Sequence, residues 1–236
     1  MQDQPAGSRL YLQMPRLPRV VIPGLAHHVT QRGNRRQPAF LRDYDYELYR
    51  QLLAEHCARE RVAVWAYSQL PNHVHLILVP TDPDGLRRVL SLTHQRYTSR
   101  INRREGWKGC LWQGRFSSFP MDERHLYAAA RYVLLNPVRA GLVTGAQQWK
   151  HSSLQAHLAG KSDGVVDVQG LATRISDWAA FLAVAPDWND RTRMRRHESS
   201  GLPLGDEEFL RDLEDLSGRR LLPESGRAGL EVAASR

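Results

Sequence analysis

The sequence predicts an α+β fold in which helices pack on an antiparallel sheet, and two kinds of pattern lead to this prediction. Short apolar runs with alternating polar positions, bounded by Gly, Pro and Asn, are typical of strands. Between them lie longer stretches in which apolar residues recur every three or four positions, as on one face of a helix. The predicted order is β-α-β-β-α-β-α, which is close to the ferredoxin-like split β-α-β arrangement. The rest of the chain is predicted to form a C-terminal extension.

The first half of the predicted fold runs from a strand near residues 26–32 to a strand pair at residues 61–80. A Gly-Asn pair ends the first strand, because both residues favour turns. A helix follows, with Asp43 as its predicted N-cap. The runs RVAVWAYSQL and HVHLILVP then form two strands joined by a Pro-Asn turn.

The second half contains a basic helix, a short strand and a last helix. The stretch LRRVLSLTHQRYTSRINRR places its apolar residues on one stripe and is ended by Gly106. A Gly-punctuated aromatic segment leads to a short strand around residues 115–119. Asp122 is the predicted cap of the last helix, which stops where Asn136 meets Pro137, because a residue before proline is disfavoured in a helical conformation.

The chain divides by pattern into three parts. Residues 1–19 lack periodicity and are predicted to be a flexible arm, and residues 20–144 hold the predicted α+β fold. Periodicity weakens over residues 145–236, which we predict to be an appended region. A cluster of arginines between residues 191 and 196 makes this region a candidate for DNA binding.

The charge balance indicates an acidic partner. Among 236 residues, 33 Lys and Arg outnumber 25 Asp and Glu, for a net charge of +8. Arginine supplies nearly all of the positive charge, which suits bidentate contact with phosphate, so nucleic acid is the first partner to consider. The two cysteines, Cys57 and Cys110, lie far apart, which implies neither a disulfide framework nor a Cys-based zinc site. No segment approaches the roughly 20 apolar residues of a membrane span, so we expect a cytoplasmic protein without a membrane partner.

The run HVHLILVP carries two histidines on either side of one valine. Side chains on a strand alternate between faces, so His73 and His75 are predicted to lie on the same face about 6.6 Å apart. Two imidazoles on one face can share a metal ion. They can equally be structural histidines with satisfied hydrogen bonds, and the spacing alone leaves both interpretations open.

The last predicted helix carries a second polar pair, Tyr132 and Asn136. Residues four apart on a helix lie on one face with Cβ atoms about 5–6 Å apart, so the phenol and the amide point the same way. A tyrosine packed under a sheet and an asparagine that caps a helix before proline need no function, however. This pair too has a functional and a structural interpretation.

Four fragments together resemble one family. PRLPRVVIPGLAHHVTQRGNRRQPAF, LPNHVHLIL, LWQGRFSSF and RYVLLNPVRAGLV, in this order, resemble the REP-associated tyrosine transposases within the single-tyrosine HUH transposases. The likeness covers roughly residues 15–158. HUH denotes a His-hydrophobic-His strand, here His73, Val74 and His75. The resemblance implies that residues 20–144 are an HUH single-tyrosine transposase domain.

The resemblance implies a tyrosine nucleophile and a divalent metal, Mg²⁺ or Mn²⁺. Tyr132 is the implied nucleophile, and Asn136 is the implied third ligand beside His73 and His75. The implied reaction cleaves and rejoins single-stranded, hairpin-bearing DNA of the repetitive extragenic palindrome type through a 5′-phosphotyrosine. Ligand chemistry alone would favour zinc or another transition metal for two imidazoles. The protein is expected to act as a monomer or a homodimer.

Alternatives remain for the site and for the protein as a whole. Tyr97 also follows the histidine strand, but Ile101 lies four positions on and Tyr97 falls on the apolar stripe, so it is predicted to be a core residue. His27 or His28 on the first strand could line the site. For the whole protein, the alternatives are a catalytically silent nucleic-acid-binding regulator on the same fold and a zinc-dependent hydrolase.

Basic and aromatic residues outside the catalytic set are predicted to hold DNA. An exposed charge is by default ordinary solvated surface, and tryptophan is more often a core residue than a stacking platform for unpaired bases, so each candidate also has a structural interpretation. The candidates are Arg32, Arg35, Arg36, Arg96, Arg100, Arg103, Arg115 and Trp112.

Overall fold

A computed structural model describes residues 19–184 and 188–221 of the chain. The predicted arm, residues 1–19, lies outside the described residues except for Arg19. The end of the predicted appended region, beyond residue 221, lies outside them as well.

Four strands form one antiparallel sheet within the described residues. They are β1 (His27–Arg32), β2 (Val62–Leu70), β3 (His73–Pro80) and β4 (Ser117–Pro120). Their order across the sheet is β2-β3-β1-β4, so β1 and β3 are central and β1 does not pair with β2. This strand order and the order of elements along the chain confirm the predicted ferredoxin-like α+β fold.

Two long helices, α1 (Asp43–Glu60) and α2 (Gly85–Glu105), cover one face of the sheet. The strand residues that point to this face are apolar and include Val29 and Leu76, which are fully buried. The Tyr97 hydroxyl donates to the Ala39 carbonyl at 2.8 Å, which confirms Tyr97 as a core residue. The stripe predicted for α2 is buried as expected and comprises Leu86, Val89, Leu90, Thr93, Tyr97 and Ile101.

The opposite face of the sheet is covered by α3 (Glu123–Leu134). Asp122 caps this helix as predicted, since its side chain accepts a hydrogen bond at 2.7 Å from a backbone N–H of the first turn. Val133 of α3 and Ile77 of β3 are both fully buried in the core between the helix and the sheet. The sheet therefore separates two cores, one under α1 and α2 and one under α3.

The chain beyond α3 adds short helices and one longer basic helix. They are α4 (Asn136–Arg139), α5 (Leu154–Ala159), α6 (Gln169–Ala172), α7 (Trp178–Ala183), α8 (Trp188–Ser200) and α9 (Glu207–Ser217). Val168 joins the core under α1 and α2, whereas Leu171 and Met194 join the core under α3. The described part of the predicted appended region thus packs on both sides of the sheet, and α8 lies against α3 and β4.

Helix length and polarity bear on membrane insertion. The helix α2 has 21 residues but is rich in arginine. Within the described ranges, no helix combines the length and the apolar character that a bilayer span requires.

The start of α1 differs from the prediction. The helix begins at Asp43, and the capping carboxylate is that of Asp45. The Asp45 Oδ2 atom accepts the backbone N–H groups of Leu41 and Arg42 at 2.9 and 3.0 Å. Arg104 of α2 donates to both oxygens of the same carboxylate. Through these hydrogen bonds, the fully buried Asp45 side chain connects α1, the turn before it and α2.

Asp45→Ala is expected to destabilise the fold by about 3 kcal/mol, since it leaves two backbone N–H groups without their acceptor and leaves the Arg104 guanidinium with Glu105 as its remaining carboxylate partner. For a chain of this size, such a loss lowers the melting temperature by about 6–12 °C. The control is Glu55→Ala, which breaks an exposed ion pair with Arg96 and is expected to cost less than about 1 kcal/mol. Equal melting temperatures for the two variants would contradict the structural role given to Asp45.

Candidate active site on the α3 face of the sheet

The face of the sheet that α3 covers carries a group of polar residues. In the antiparallel register, His73 lies opposite Arg32, and Ile77 lies opposite His28. Directly paired residues project to the same face, and residues two apart on a strand do so as well. His28, Arg32, His73 and His75 therefore share the α3 side of the sheet, and the two HUH histidines lie on one face, as the strand period predicts.

Both HUH histidines are held by contacts at Nδ1. The Nδ1 atom of His73 lies 2.6 Å from Oδ1 of Asn72, and Nδ1 of His75 lies 3.1 Å from Nε2 of His28. The ring centroids of His73 and His75 are 5.0 Å apart. Because each Nδ1 is engaged, Nε2 is the nitrogen that each ring can offer to a metal ion.

Tyr132 lies beside this pair. Its ring meets His75 edge-on at a centroid distance of 5.3 Å and His28 at 5.9 Å. The Arg139 guanidinium lies over the tyrosine ring, 4.0 Å from its centroid, and donates to the Tyr132 carbonyl at 2.9 Å. The structure therefore brings the predicted nucleophile next to one of the two HUH histidines.

Asn136 follows one turn after Tyr132, where α3 passes into α4. Leu135 between the two helices has φ −89° and ψ 0°, so the chain stays close to helical with a local break. Pro137 has no N–H to donate to the preceding turn, which explains the break. Asn136 is buried, with 7% of its surface exposed, and its part as a metal ligand stays a prediction.

A carboxylate from α8 reaches the same place, although no sequence pattern indicates it. The Oε1 atom of Glu198 lies 3.8 Å from Nδ1 of His28 and 3.8 Å from Nδ1 of His75. The ligand atoms of these three residues all lie within 4.8 Å of one another. The strand period of β1 could have placed His28 on this face. Glu198 belongs to an arginine-rich helix far along the chain and gives no such signal.

Burial keeps the three histidines neutral. It lowers the pKa of His28 to about 3 and, together with the charge of Arg32, lowers that of His73 to about 4. Burial and the neighbouring histidines and arginines hold the pKa of His75 well below 6.5. At neutral pH each imidazole therefore carries a lone pair, which is the form that binds a metal ion.

The pKa values of Glu198 and Tyr132 are raised. Burial raises the pKa of Glu198 to about 7, against the opposing charges of Arg32, Arg195 and Arg139. Burial and the charge of Glu198 raise the pKa of Tyr132, whereas Arg139 and Arg195 lower it. The phenol is therefore protonated at neutral pH, and the two arginines are the groups that can stabilise its anion.

The donors on this face fit a divalent metal ion, because imidazole nitrogens and carboxylate or amide oxygens are common ligands of such ions. Two possible donor sets share His75. One is the predicted set with His73 and Asn136, and the other contains His28 and Glu198. Nδ1 of His28 and Oε1 of Glu198 are buried and have no hydrogen-bond partner among the described residues. These two atoms are not used in hydrogen bonds and are therefore available as metal ligands.

Comparison with known proteins indicates the family that the chain resembles. Residues 22–135 match the model of the family described as IS200-like transposases. These residues form an IS200-like transposase domain. A Haemophilus influenzae protein named as a REP-associated tyrosine transposase is 28% identical over 132 residues, which span 50% of this chain and 73% of that protein. The resemblance to the REP-associated tyrosine transposases is thereby confirmed.

A solved structure supports the fold of the transposase domain. It shows a REP-associated tyrosine transposase bound to a REP hairpin and is 23% identical to this chain, with a TM-score of 0.54. The match covers 66% of this chain and 93% of that one. His28, both HUH histidines and Tyr132 lie inside the matched family region, whereas Glu198 comes from α8, outside it.

One group of the predicted DNA-binding arginines lies at and around the end of β1. Arg32 is on the α3 face opposite His73, and Arg35, Arg36 and Arg115 are exposed. Arg35 and Arg36 have φ values of 53° and 62°, in the left-handed region that residues with a Cβ atom rarely adopt. Strained backbone of this kind is concentrated at binding sites, which makes this turn a candidate DNA contact.

The other group of predicted DNA-binding arginines lies on the face of the sheet that α1 and α2 cover, opposite Tyr132. Arg96, Arg100 and Arg103 line a groove between α1 and α2. Arg96 forms an ion pair with Glu55 of α1 at 2.7 Å. The sheet separates these arginines from Tyr132, and their part in DNA binding stays a prediction.

Trp112 lies in the core. Only 6% of its surface is exposed, and its ring packs against Phe40, Tyr49, Tyr97 and His94. The faces of a ring packed in this way are covered and cannot stack on an unpaired base. The stacking role predicted for Trp112 therefore does not fit this structure.

Proposed function

We propose that this chain is a transposase that cleaves and rejoins single-stranded, hairpin-bearing DNA through a 5′-phosphotyrosine on Tyr132. The observation that carries the proposal is the position of Tyr132, whose ring lies 5.3 Å from that of His75 in the HUH pair. The family match supports the reaction class. The structurally similar protein is bound to a REP hairpin, which motivates a hairpin as the substrate.

In the proposed reaction, the Tyr132 oxygen attacks the scissile phosphorus. A bond forms between phosphorus and the phenol oxygen, the bond to the 3′ oxygen of the upstream strand breaks, and the phenol proton ends on the released 3′-hydroxyl. Attack of a 3′-hydroxyl on the phosphotyrosine reverses this step. Because the phosphodiester is exchanged for another phosphodiester, rejoining needs no nucleotide cofactor.

Side chains around Tyr132 meet the needs of this chemistry. A phenol has a pKa near 10 and is a weak nucleophile at neutral pH. Arg139 lies over the ring and Arg195 is close enough to lower the pKa of the phenol, so both stabilise negative charge as the proton leaves. Edge contacts with His28 and His75 hold the ring in place.

The proposed metal ligands are the Nε2 atoms of His73 and His75 and the side-chain oxygen of Asn136, as the family resemblance implies. Asn72 and His28 orient the two imidazoles through Nδ1, which is the support that metal-binding histidines usually have. When bound there, Mg²⁺ or Mn²⁺ supplies Lewis-acid chemistry at a non-bridging phosphate oxygen.

A single-stranded DNA hairpin labelled at either end tests the proposal, after incubation with the protein and Mn²⁺ or Mg²⁺ and separation on a denaturing gel. A 5′-phosphotyrosine predicts that the 3′-labelled strand migrates with the protein and that the 5′-labelled fragment is released. The opposite distribution of labels would contradict the proposed linkage. DNA binding without an adduct would favour the silent nucleic-acid-binding regulator, and free fragments without an adduct would favour a metal-dependent hydrolase.

We place the DNA on the α3 side of the sheet, with Arg195 of α8 extending the surface into the appended region. Arg35→Gln/Arg36→Gln is expected to reduce the slope of log affinity against log salt by about 1.4, since each phosphate contact on single-stranded DNA contributes about 0.7. The control, Arg96→Gln/Arg100→Gln, removes the same charge from the other side and should leave the slope unchanged. Fluorescence anisotropy titrations at several salt concentrations measure both slopes. A larger change in the control would place the DNA over α1 and α2.

A further inference from the structure

Glu198, His28 and His75 form a cluster of three groups beside the proposed metal site. The Oε1 atom of Glu198 lies 3.8 Å from Nδ1 of His28 and 3.8 Å from Nδ1 of His75, and Nε2 of His28 lies 3.1 Å from Nδ1 of His75. We infer that the Glu198 carboxylate sets the direction of the His28–His75 hydrogen bond and thereby holds His75 in the tautomer whose Nε2 carries the lone pair. Glu198 and His28 are thus positioning residues, and the use of that lone pair rests on the proposed function.

The hydrogen bond between the two rings can run in either direction, since a neutral imidazole has one N–H and one lone pair. If His75 Nδ1 donates, His28 accepts at Nε2 and carries its own proton on Nδ1, which faces Glu198. If His28 Nε2 donates instead, a lone pair on His28 Nδ1 faces the carboxylate at 3.8 Å. Two electron-rich groups repel each other strongly in a buried site, so an ionised Glu198 favours the first direction.

The direction of this bond decides what His75 can do. In the first arrangement, His75 Nε2 is unprotonated, as a metal ligand must be. In the second, Nε2 carries the proton, and His75 has to lose it before it can bind a metal ion. Histidines in metal sites commonly donate the N–H of the other ring nitrogen to an acceptor, which fixes the tautomer. Here His28 is the acceptor, and the Glu198 carboxylate favours a proton on Nδ1 of both rings, since its Oε1 atom lies 3.8 Å from each.

The helix α8 holds Glu198 in place by contacts of its own. Met194, one turn before Glu198, is 1% exposed and belongs to the core under α3. The His197 ring lies 5.7 Å from that of Phe119, and the Ser117 hydroxyl of β4 donates to the Glu198 carbonyl. Packing on the sheet therefore fixes the backbone that carries this carboxylate.

Nitrogen-15 NMR of metal-free protein labelled at histidine reads the tautomer directly, because protonated and unprotonated imidazole nitrogens have well-separated shifts. At alkaline pH, where the Glu198 carboxylate is ionised, we expect wild-type His75 as the Nδ1–H tautomer. Glu198→Ala and His28→Ala are each expected to change the tautomer ratio at His75 at least tenfold. Glu208→Ala, which removes an exposed carboxylate from α9, is the control and should leave the ratio unchanged.

Affinity for Mn²⁺, measured by calorimetry, is the second readout. Glu198→Ala is expected to weaken binding by about 10- to 100-fold, the usual effect of removing an outer-shell partner of a ligand. His73→Ala removes a proposed ligand, so it should weaken binding further yet leave the His75 tautomer unchanged. If Glu198→Ala does not fold, Glu198→Gln keeps the side-chain shape, and its amide, which can present oxygen or N–H, should leave a mixture of tautomers.

An unchanged His75 tautomer in the Glu198 and His28 variants would overturn the inference. So would a coordination shift at Nδ1 of His28 when Cd²⁺ is added to the wild-type protein, since His28 and Glu198 would then be ligands themselves. Neither result depends on DNA cleavage. Failure of this inference is therefore distinguishable from failure of the proposed transposase reaction.

Discussion

Tyr132→Phe is expected to abolish the covalent protein–DNA adduct while hairpin binding persists. The change removes the attacking oxygen but keeps the ring, its edge contacts with His28 and His75 and its place under Arg139. Loss of a nucleophile costs about 10³-fold or more in rate, so no adduct should be detected with end-labelled hairpin DNA. The melting temperature should change little, because the packing of the ring is kept.

Tyr127→Phe is the matched control. Tyr127 lies on the same helix, where its hydroxyl donates to the Arg174 carbonyl at 3.2 Å and its ring contacts Phe181. This variant should form the adduct at the wild-type rate. An adduct in Tyr132→Phe, or loss of the adduct in a folded Tyr97→Phe variant, would mean that another tyrosine is the nucleophile.

Removal of either HUH histidine is expected to eliminate both metal-dependent cleavage and thermal stabilisation by metal. In the wild-type protein, Mn²⁺ at about 100 times its Kd should stabilise the fold by about 2.7 kcal/mol. His73→Ala and His75→Ala should lose most of this gain. His75 is 2% exposed, so its alanine variant is also expected to melt earlier without metal. His73 is only partly buried and gives the cleaner comparison.

His94→Ala is the control for the metal-stabilisation experiment. His94 lies on α2, on the other side of the sheet, where its Nε2 is 3.1 Å from the Tyr49 hydroxyl. Its loss should lower the melting temperature by the same amount with and without Mn²⁺, and the folded variant should cleave DNA normally. A Mn²⁺-induced shift of wild-type size in both HUH variants would show that the metal is bound elsewhere.

The features that the sequence predicts well are those that depend on a local period. Alternation along β3 predicts that His73 and His75 share a face, and the register with β1 agrees. The helical period predicts that Asn136 follows one turn after Tyr132, and Leu135 keeps the chain close to helical between them. Each of these predictions needs only residues within a few positions of one another.

The features that the sequence misses depend on packing between distant elements. Glu198 reaches the histidines only because α8 packs on β4 and α3, and nothing in its neighbourhood of arginines indicates that contact. The sequence leaves Trp112 with both a core and a stacking interpretation, and its packing in the core under α1 and α2 decides between them. The arginines of α2 lie away from Tyr132 because α1 and α2 pack together on the face of the sheet opposite α3.

The origin of Glu198 in α8 also gives the site an order of assembly during protein synthesis. The chain from His28 to Asn136 leaves the ribosome first, and the roughly 60 residues up to Glu198 follow over about 3–12 s at 5–20 residues per second. A nascent chain in this interval already contains the tyrosine and both HUH histidines but lacks the carboxylate that faces His28. Translation thus separates the arrival of the nucleophile from the completion of the cluster of Glu198, His28 and His75.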